Sequence, residues 1–343
     1  MSASLRERTG AHRVLDPPGG LPQPARRVDP HAPLRASELA LAVDRVSVDA
    51  WSFRHLWADA REDERAFARA LHEVVEERGK LHNSQTDSGG TLVGTVAEIG
   101  DEAAAERRLA SGDRVVPLTS CSAIPLVLER VRAVNPRAAE VEVEARAIVP
   151  LAYPVERVPR NLDERLVVAA ADTAGAPGLV HDLVDPGARV TILGANGTAG
   201  LLACASARDR GAARVVGVDL VTAALERTGL AEPVQADATD ALALFDALVA
   251  VGAAEADLVA HVAAAAECEA SAVAAVAPEG TILLFSLATS FQRCVNVVDV
   301  FGKRPLMVVS NALRRHHAEL AYELLRRHPR LRAELGERVG ATA

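Results

Sequence analysis

The chain has 343 residues, 49% of them apolar, and a net charge of −8. That length suits two domains better than one, and the acidic balance excludes a nucleic-acid protein of the usual kind, which needs a basic face for the phosphate backbone. No apolar run is long enough for a membrane-spanning helix, and MSASLRERTG at residues 1–10 lacks the apolar stretch of a signal peptide, so a cytoplasmic protein with no membrane partner is expected.

The four cysteines, Cys121, Cys204, Cys268 and Cys294, are scattered singly, which is neither a disulfide framework nor a metal knuckle. Aromatics are only 3%, so the core must be aliphatic. All but two of the 38 Lys+Arg residues are arginine; the exceptions are Lys80 and Lys303. An ammonium and a guanidinium differ in shape and hydration, so both lysines are singled out.

In chain order, the first 35 residues are rich in proline and glycine and read as an extended arm. ELALAVDRV alternates as a strand does, and EDERAFARALHEVVEER repeats its apolar positions at helical spacing. GKLHNSQTDSGG follows as a loop, closed by the strand TLVGTVAEIG. DRVVPL and EVEVEARAIV are further strands, the second with one wet face. Residues 36 to about 155 therefore predict a strand-rich barrel or sandwich. From about residue 161 short apolar strands alternate with Ala-rich helical runs, the pattern of a parallel sheet covered by helices. RPLMVVS adds a strand, and HHAELAYELLRRHPRLRAEL closes the chain as a helix.

RVTILGANGTAGLLACASA sets a strand, a Gly-rich turn and a helix in the order that offers helix N–H groups to a pyrophosphate. The cofactor-binding residues expected there are Gly194, Ala195, Asn196, Gly197, Thr198, Ala199 and Gly200, with Ala195 taking the place of the first glycine in the strict register. VVGVD ends in Asp219 about 20 residues further on. Its carboxylate would receive the adenosine ribose hydroxyls and repel a 2′-phosphate, and Leu220 and Val221 supply no arginine, so NAD is favoured over NADP. Asp237 is placed where adenine would lie. Ser286, Thr289 and Ser290 follow the strand TILLF at the end where doubly wound sheets bind ligands; Ser286 is assigned to the cofactor and Thr289 to the substrate.

A dinucleotide domain after a strand-rich domain of about this size is the layout of medium-chain dehydrogenases and reductases, which the chain resembles throughout. Many members hold a catalytic zinc on Cys, His-Glu and a second Cys or His, and a structural zinc on four cysteines. Here VSVDAWSF carries Asp49 where the first ligand would stand, and SGGTL replaces a Gly-His-Glu. Asp49, His55 and His82 could be assembled into a site on paper, but no metal is expected. GAHRVLDPPGGLPQPARRVD, ERGKLHNSQTDSGGTLVGTV, ADTAGAP, LGANGTAGLL and TILLFSLATSF, in that order, make the resemblance narrower. They resemble the L-erythro-3,5-diaminohexanoate dehydrogenases, a zinc-independent branch that deaminates the C3 amine with NAD⁺ in lysine fermentation. HNSQTDSGG departs from that family's HNPVTGSGG, and SNALRRHHAEL puts His316 where a glycine is expected and lacks a tyrosine.

The resemblance implies an α/β fold, with a Rossmann-type doubly wound parallel sheet at 161–311 and a GroES-like catalytic domain at 1–160 to which 312–343 returns. It also implies a diamino acid substrate and a homodimer, for which RPLMVVS could supply a sheet edge. Oxidising an amine requires it to be neutral when hydride leaves, so a base is needed. Asp172 and Asp49 are expected to face ammonium groups or act as base, and His82 to shuttle a proton. Lys80 is assigned to the substrate carboxylate, Asn83 to orientation, and Ser88, Gly89 and Gly90 to close backbone approach to the ligand. A zinc-free reductase acting on a neutral carbonyl and a non-catalytic NAD-binding protein are the competing readings.

Overall fold

The structure, a computed structural model, describes residues 3–83, 88–286, 290–310 and 314–341. Its contacts divide the chain into one unit of residues 1–172 with 338–341 and a second of residues 173–337 with 342–343. The division falls later than the expected 160, and 312–337 lies with the second unit while Arg338–Ala341 lies with the first.

The first unit runs α1 (Leu5–Arg8), β1 (Val14–Asp16), β2 (Arg27–Val28), β3 (Glu38–Ser47), α2 (Ala50–Asp59), α3 (Glu64–Arg78), β4 (Thr91–Ile99), α4 (Asp101–Arg107), β5 (Arg114–Pro117), β6 (Leu126–Asn135), β7 (Glu140–Pro150), β8 (Val155–Arg157) and α5 (Glu164–Thr173). Its six-stranded sheet, in the order β6-β7-β3-β4-β5-β8, is antiparallel throughout. The helical spacing of residues 62–78 becomes α3, started by Asp63, whose carboxylate accepts from Ala66 N–H at 2.8 Å. Phe67, Leu71 and Val75 are its buried face, and each contributes about 1.5–3 kcal/mol by burial. Gly79 ends the helix at φ +68°; a Cβ there would stand 2.1 Å from the Val28 carbonyl, so only glycine allows the turn.

The N-terminal 35 residues are not an extended arm. β1 and β2 pair antiparallel, and the segment is bolted to the sheet by a buried ion pair. Arg13 donates to both Glu38 oxygens, at 2.6 and 2.7 Å, and also to the carbonyls of Asp29, Ala32 and Pro33. Burial pushes the Glu38 carboxyl up, but Arg13 and then His12 outweigh it and hold it at about 2. The composition showed the prolines and glycines, whereas Arg13 and Glu38 meet only through the fold.

The second unit runs α6 (Gly175–Leu183), β9 (Arg189–Leu193), α7 (Thr198–Asp209), β10 (Arg214–Asp219), α8 (Ala223–Thr228), β11 (Glu232–Gln235), α9 (Ala241–Ala250), β12 (Ala256–His261), α10 (Glu269–Ala275), β13 (Val276–Leu284), α11 (Phe291–Val295), β14 (Leu306–Val309) and α12 (Arg315–Arg327), and α13 (Pro329–Val339) follows. All its sheet pairings are parallel, in the order β11-β10-β9-β12-β13-β14. Numbered from β9, that is 3-2-1-4-5-6, the dinucleotide-binding order with its switch point beside β9. The fold class is as the sequence predicted. Apolar strands such as RVTIL are buried because helices cover a parallel sheet on both faces. Cys204 is core, as are Leu201 and Leu202 on the same helix.

Candidate active site

In the first unit the backbone leaves β3 and enters α2 at Asp49. Its Oδ1 accepts from Ser52 N–H and from the Ser52 hydroxyl, both at 2.9 Å, so the aspartate caps α2. The Ser52 Oγ in turn accepts from Asn83 Nδ2 at 2.9 Å. Asp172, in the last turn of α5, lies near enough to feel Asp49. Close surrounding protein, and secondarily the Asp49 charge, push the Asp172 carboxyl up to about 7. The Asp172 side chain keeps an exposed side. Solvent there tempers both the desolvation and the repulsion from Asp49. The buried Cys121 thiol is pushed up by burial and then by Asp172, which places these three groups in one neighbourhood.

The loop that follows α3 supplies the rest. Asn83 and Ser88 form a bridge, with Asn83 N–H donating to Ser88 O at 2.8 Å, while Ser84, Gln85, Thr86 and Asp87 lie outside the described residues. His82 is buried, and its Nδ1 is 3.3 Å from Arg78 Nη1, so that guanidinium donates to it and Nε2 carries the ring proton. Gly89 and Gly90 do not hold the backbone open for a ligand. A Cβ on Gly89 would stand 2.1 Å from the Leu81 carbonyl, and one on Gly90, at φ +80°, 1.9 Å from the Ser47 carbonyl. They are glycine because this strand entry is threaded between β3 and the loop. Ser120 joins them, its Oγ accepting from Gly89 N–H at 3.0 Å.

Lys80 has a different task from the one assigned to it. It is fully buried, and its ammonium donates to the carbonyls of Pro22 and Gln23 at 2.6 and 2.7 Å, tying the loop to the N-terminal hairpin. Lys303 does the same in the second unit, donating to the carbonyls of Ala274 and Val276, both at 2.6 Å. Each lysine of the chain thus serves two main-chain carbonyls. A compact ammonium on a flexible stem can serve such a pair, whereas a planar guanidinium wants a fork.

The set Asp49, His55 and His82 does not gather as metal ligands. His55 is on an exposed face of α2, its ring stacked on Trp51 with centroids 3.5 Å apart and its Nδ1 2.8 Å from the Trp51 carbonyl.

In the second unit the Gly-rich turn follows β9 and opens α7. Gly194 makes the tight turn at φ +84°, and a Cβ on it would stand 2.5 Å from Ala263 Cα. Gly200 lets helix and strand close up, since a Cβ there would lie 2.2 Å from the Gly194 carbonyl. Ala195 is fully buried and its N–H donates to Val218 O, so Gly194 rather than Ala195 does the work of the first glycine. Gly197 is exposed, with Thr198 and Ala199 partly so, and α7 has no side-chain cap. Its first-turn N–H groups therefore suit an anion.

Asp219 is held in place by two N–H donors, Asn196 at 2.9 Å and Leu220 at 2.8 Å. The Asn196 side chain accepts from Ala224 N–H at 2.9 Å, locking the turn to α8. Asn196 positions the site through these bonds, a role its place in the motif did not reveal. Asp237 is exposed, and its carboxylate accepts from the N–H and hydroxyl of Thr239, which lower its pKa. Ser286 follows β13, its N–H donating to His261 O at 3.3 Å, while Thr289 lies outside the described residues. Residues that sequence reasoning missed are Ser52, Arg78 and Ser120; of these only Ser52 had a local signal, three places after a capping aspartate.

Residues 12–159 match the family described as the L-erythro-3,5-diaminohexanoate dehydrogenase N-terminal domain. The chain is 32% identical to L-erythro-3,5-diaminohexanoate dehydrogenase of Acetoanaerobium sticklandii over 92% of its length and 94% of the relative's. It is 33% identical to the protein of that name from Fusobacterium nucleatum over 96% and 97%. Among solved structures it is similar to CurK enoyl reductase, with a TM-score of 0.55 and 15% identity over 89% of this chain and 79% of that one. It is likewise similar to alcohol dehydrogenase TADH of Thermus sp. ATN1, with a TM-score of 0.53 and 18% identity over 89% and 86%. At such identities these two likenesses concern the fold alone.

Proposed function

The chain belongs to the L-erythro-3,5-diaminohexanoate dehydrogenase family, oxidoreductases that act on a CH–NH2 group, and from that premise we propose that it deaminates L-erythro-3,5-diaminohexanoate with NAD⁺. The balanced reaction takes the C3 ammonium, NAD⁺ and water to 5-amino-3-oxohexanoate, NADH, ammonium and a proton, as lysine fermentation would require. The observation that carries this reading is the pair Asp49 and Asp172: two carboxylates, one of them raised to about 7, suit a dication and offer nothing to a neutral carbonyl compound.

NAD held at the turn after β9 and by Asp219 would supply the hydride acceptor for C3. Asp172 takes the proton that the C3 ammonium must lose first, because an ammonium has no lone pair to form C=N. Free alkyl ammonium titrates near about 10.4, and each unit by which the base approaches it removes about 1.4 kcal/mol from the uphill transfer. An ordinary aspartate near about 3.9 would be a far poorer acceptor. Asp49, fixed by Ser52 and Asn83, faces the second ammonium. Asp172 passes the proton taken from the C3 ammonium to solvent on its exposed side. After hydride leaves, it accepts a proton from the water that adds to the C=N carbon and returns it to the amine nitrogen. That nitrogen leaves as ammonia and takes the hydroxyl proton as the carbonyl forms.

The dinucleotide turn fits NAD. Gly197 leaves the α7 N-terminus open to the pyrophosphate, and the Asp219 carboxylate, already oriented, suits ribose hydroxyls rather than a 2′-phosphate. Zinc independence belongs to the same reading, supported by the residues that stand where ligands would: Asp49 at the corner and Gly89-Gly90 at the strand entry. A homodimer through β14 is supported by that strand's place at the sheet edge, with Leu306 63% and Val309 59% exposed.

The test is substrate discrimination. Turnover with the diamino acid should far exceed that with a neutral secondary alcohol of equal length. Equal or better turnover of the alcohol would replace this reading with that of a zinc-free reductase.

A further inference from the structure

α6 and α12 pack so closely that a Cβ on Gly178 would stand 2.2 Å from the Cγ of His317, whose ring is fully buried against the α6 backbone. One turn further along α6, on the same face, is Asp182. Its Oδ2 lies 3.3 Å from His317 Nε2 and 3.9 Å from His316 Nε2, and all three ligand atoms are within 4.8 Å of one another. No other set of three His, Cys, Asp or Glu among the described residues comes together in this way.

We propose that Asp182, His316 and His317 form a binding site for a divalent late transition ion such as Zn²⁺. With metal–ligand distances of about 2.0–2.2 Å, tetrahedral geometry separates ligands by roughly 3.3–3.6 Å, and the two measured separations bracket that range. His317 is within hydrogen-bond distance of Asp182, and His316 stands at ion-pair distance from the same oxygen, so both imidazoles converge on one carboxylate oxygen. Two neutral imidazoles and one carboxylate are the donors zinc, nickel and copper prefer. Asp182 and His316 are partly open to solvent, at 38% and 55% side-chain exposure, so an ion has an entry path. A fourth ligand is water or His181, whose Nδ1 is 3.7 Å from the other Asp182 oxygen.

Electrostatics agree in part. The ion would sit at the C-terminal end of α6, where the helix carbonyls favour a cation, and at the N-terminal end of α12, where they do not. The Asp182 carboxylate settles the balance. The bound ion would staple α12, which has no side-chain cap, to α6. This site lies in the second unit and is separate from the first-unit positions where medium-chain relatives carry zinc.

The test uses the full-length protein, stripped with chelator and titrated with Co²⁺ followed by its visible absorption, and with Zn²⁺ by calorimetry. One ion should bind per chain, and Zn²⁺ should raise the thermal unfolding midpoint. The exposed-residue variants His316→Ala and Asp182→Asn should each weaken binding by about tenfold or more. His72→Ala, at an exposed histidine elsewhere, should leave it unchanged. Absence of binding, or binding unaffected in both site variants, would overturn the proposal and leave the cluster an ion pair only.

Discussion

Asp49 caps α2 with one carboxylate oxygen while its charge helps raise the carboxyl of Asp172. One residue therefore holds local structure and shifts the carboxyl proposed above as the base. The two effects are separable, because a cap needs an acceptor and tuning needs a charge.

Asp172→Asn removes the base and should lower kcat/KM by about 10²–10⁴. In the parent enzyme kcat/KM should rise with pH through about 7 as Asp172 ionises, and the variant's residual activity should lack that limb. Stability should move the other way. A carboxyl whose folded pKa lies above its unfolded value binds its proton more tightly when folded. Its favourable contribution is complete at low pH and is lost as pH rises through about 7. Asparagine cannot ionise, so thermal melts should show the variant gaining on the parent at about pH 8 more than at about pH 5.

Asp49→Asn keeps an acceptor for Ser52, and asparagine is also a good cap, so stability should change by less than about 0.5 kcal/mol. Loss of the charge lowers the Asp172 pKa, and the acid limb of the pH profile should shift to lower pH. KM for the diamino acid should rise. An unmoved limb would show that the two carboxylates do not communicate.

Lys80→Met keeps the apolar stem but leaves the Pro22 and Gln23 carbonyls without this donor, which should cost about 1–3 kcal/mol in denaturant unfolding. KM should not change. A raised KM with unaltered stability would restore the substrate-carboxylate role that the sequence suggested.

Cofactor choice should follow Asp219. The parent should use NAD⁺ in preference to NADP⁺, and pairing Asp219→Asn with Leu220→Arg should reduce that preference by about tenfold or more, roughly 1.4 kcal/mol. Asparagine keeps an acceptor for only one of the Asn196 and Leu220 N–H groups, which bond to different oxygens of Asp219, so the double variant should also lose about 1–3 kcal/mol of stability. Ratios of kcat/KM for the two cofactors measure this directly.

What could be read from the sequence was what local pattern encodes. The period of α3, the apolar strands of the parallel sheet, the turn after β9 and Asp219 twenty-odd residues on all follow from spacing. What could not be read depends on partners far along the chain. Lys80 and His82 looked like ligand groups because they sit in a polar loop. Their partners include Pro22, Gln23 and Arg78, and only the fold of the N-terminal hairpin brings the first two to Lys80. Gly89 and Gly90 looked like room for a ligand and are instead room for backbone. The upward shift of Asp172 comes first from the protein packed around it and then from Asp49, which precedes it by more than a hundred residues, and neither is a local signal.

The most direct measurement is the yield of NADH and ammonia from L-erythro-3,5-diaminohexanoate and NAD⁺, followed in one reaction with chelator-treated enzyme. The account predicts one ammonia per NADH, at a rate that chelation does not change. NADH without ammonia, or no turnover while NAD⁺ still binds, would contradict it.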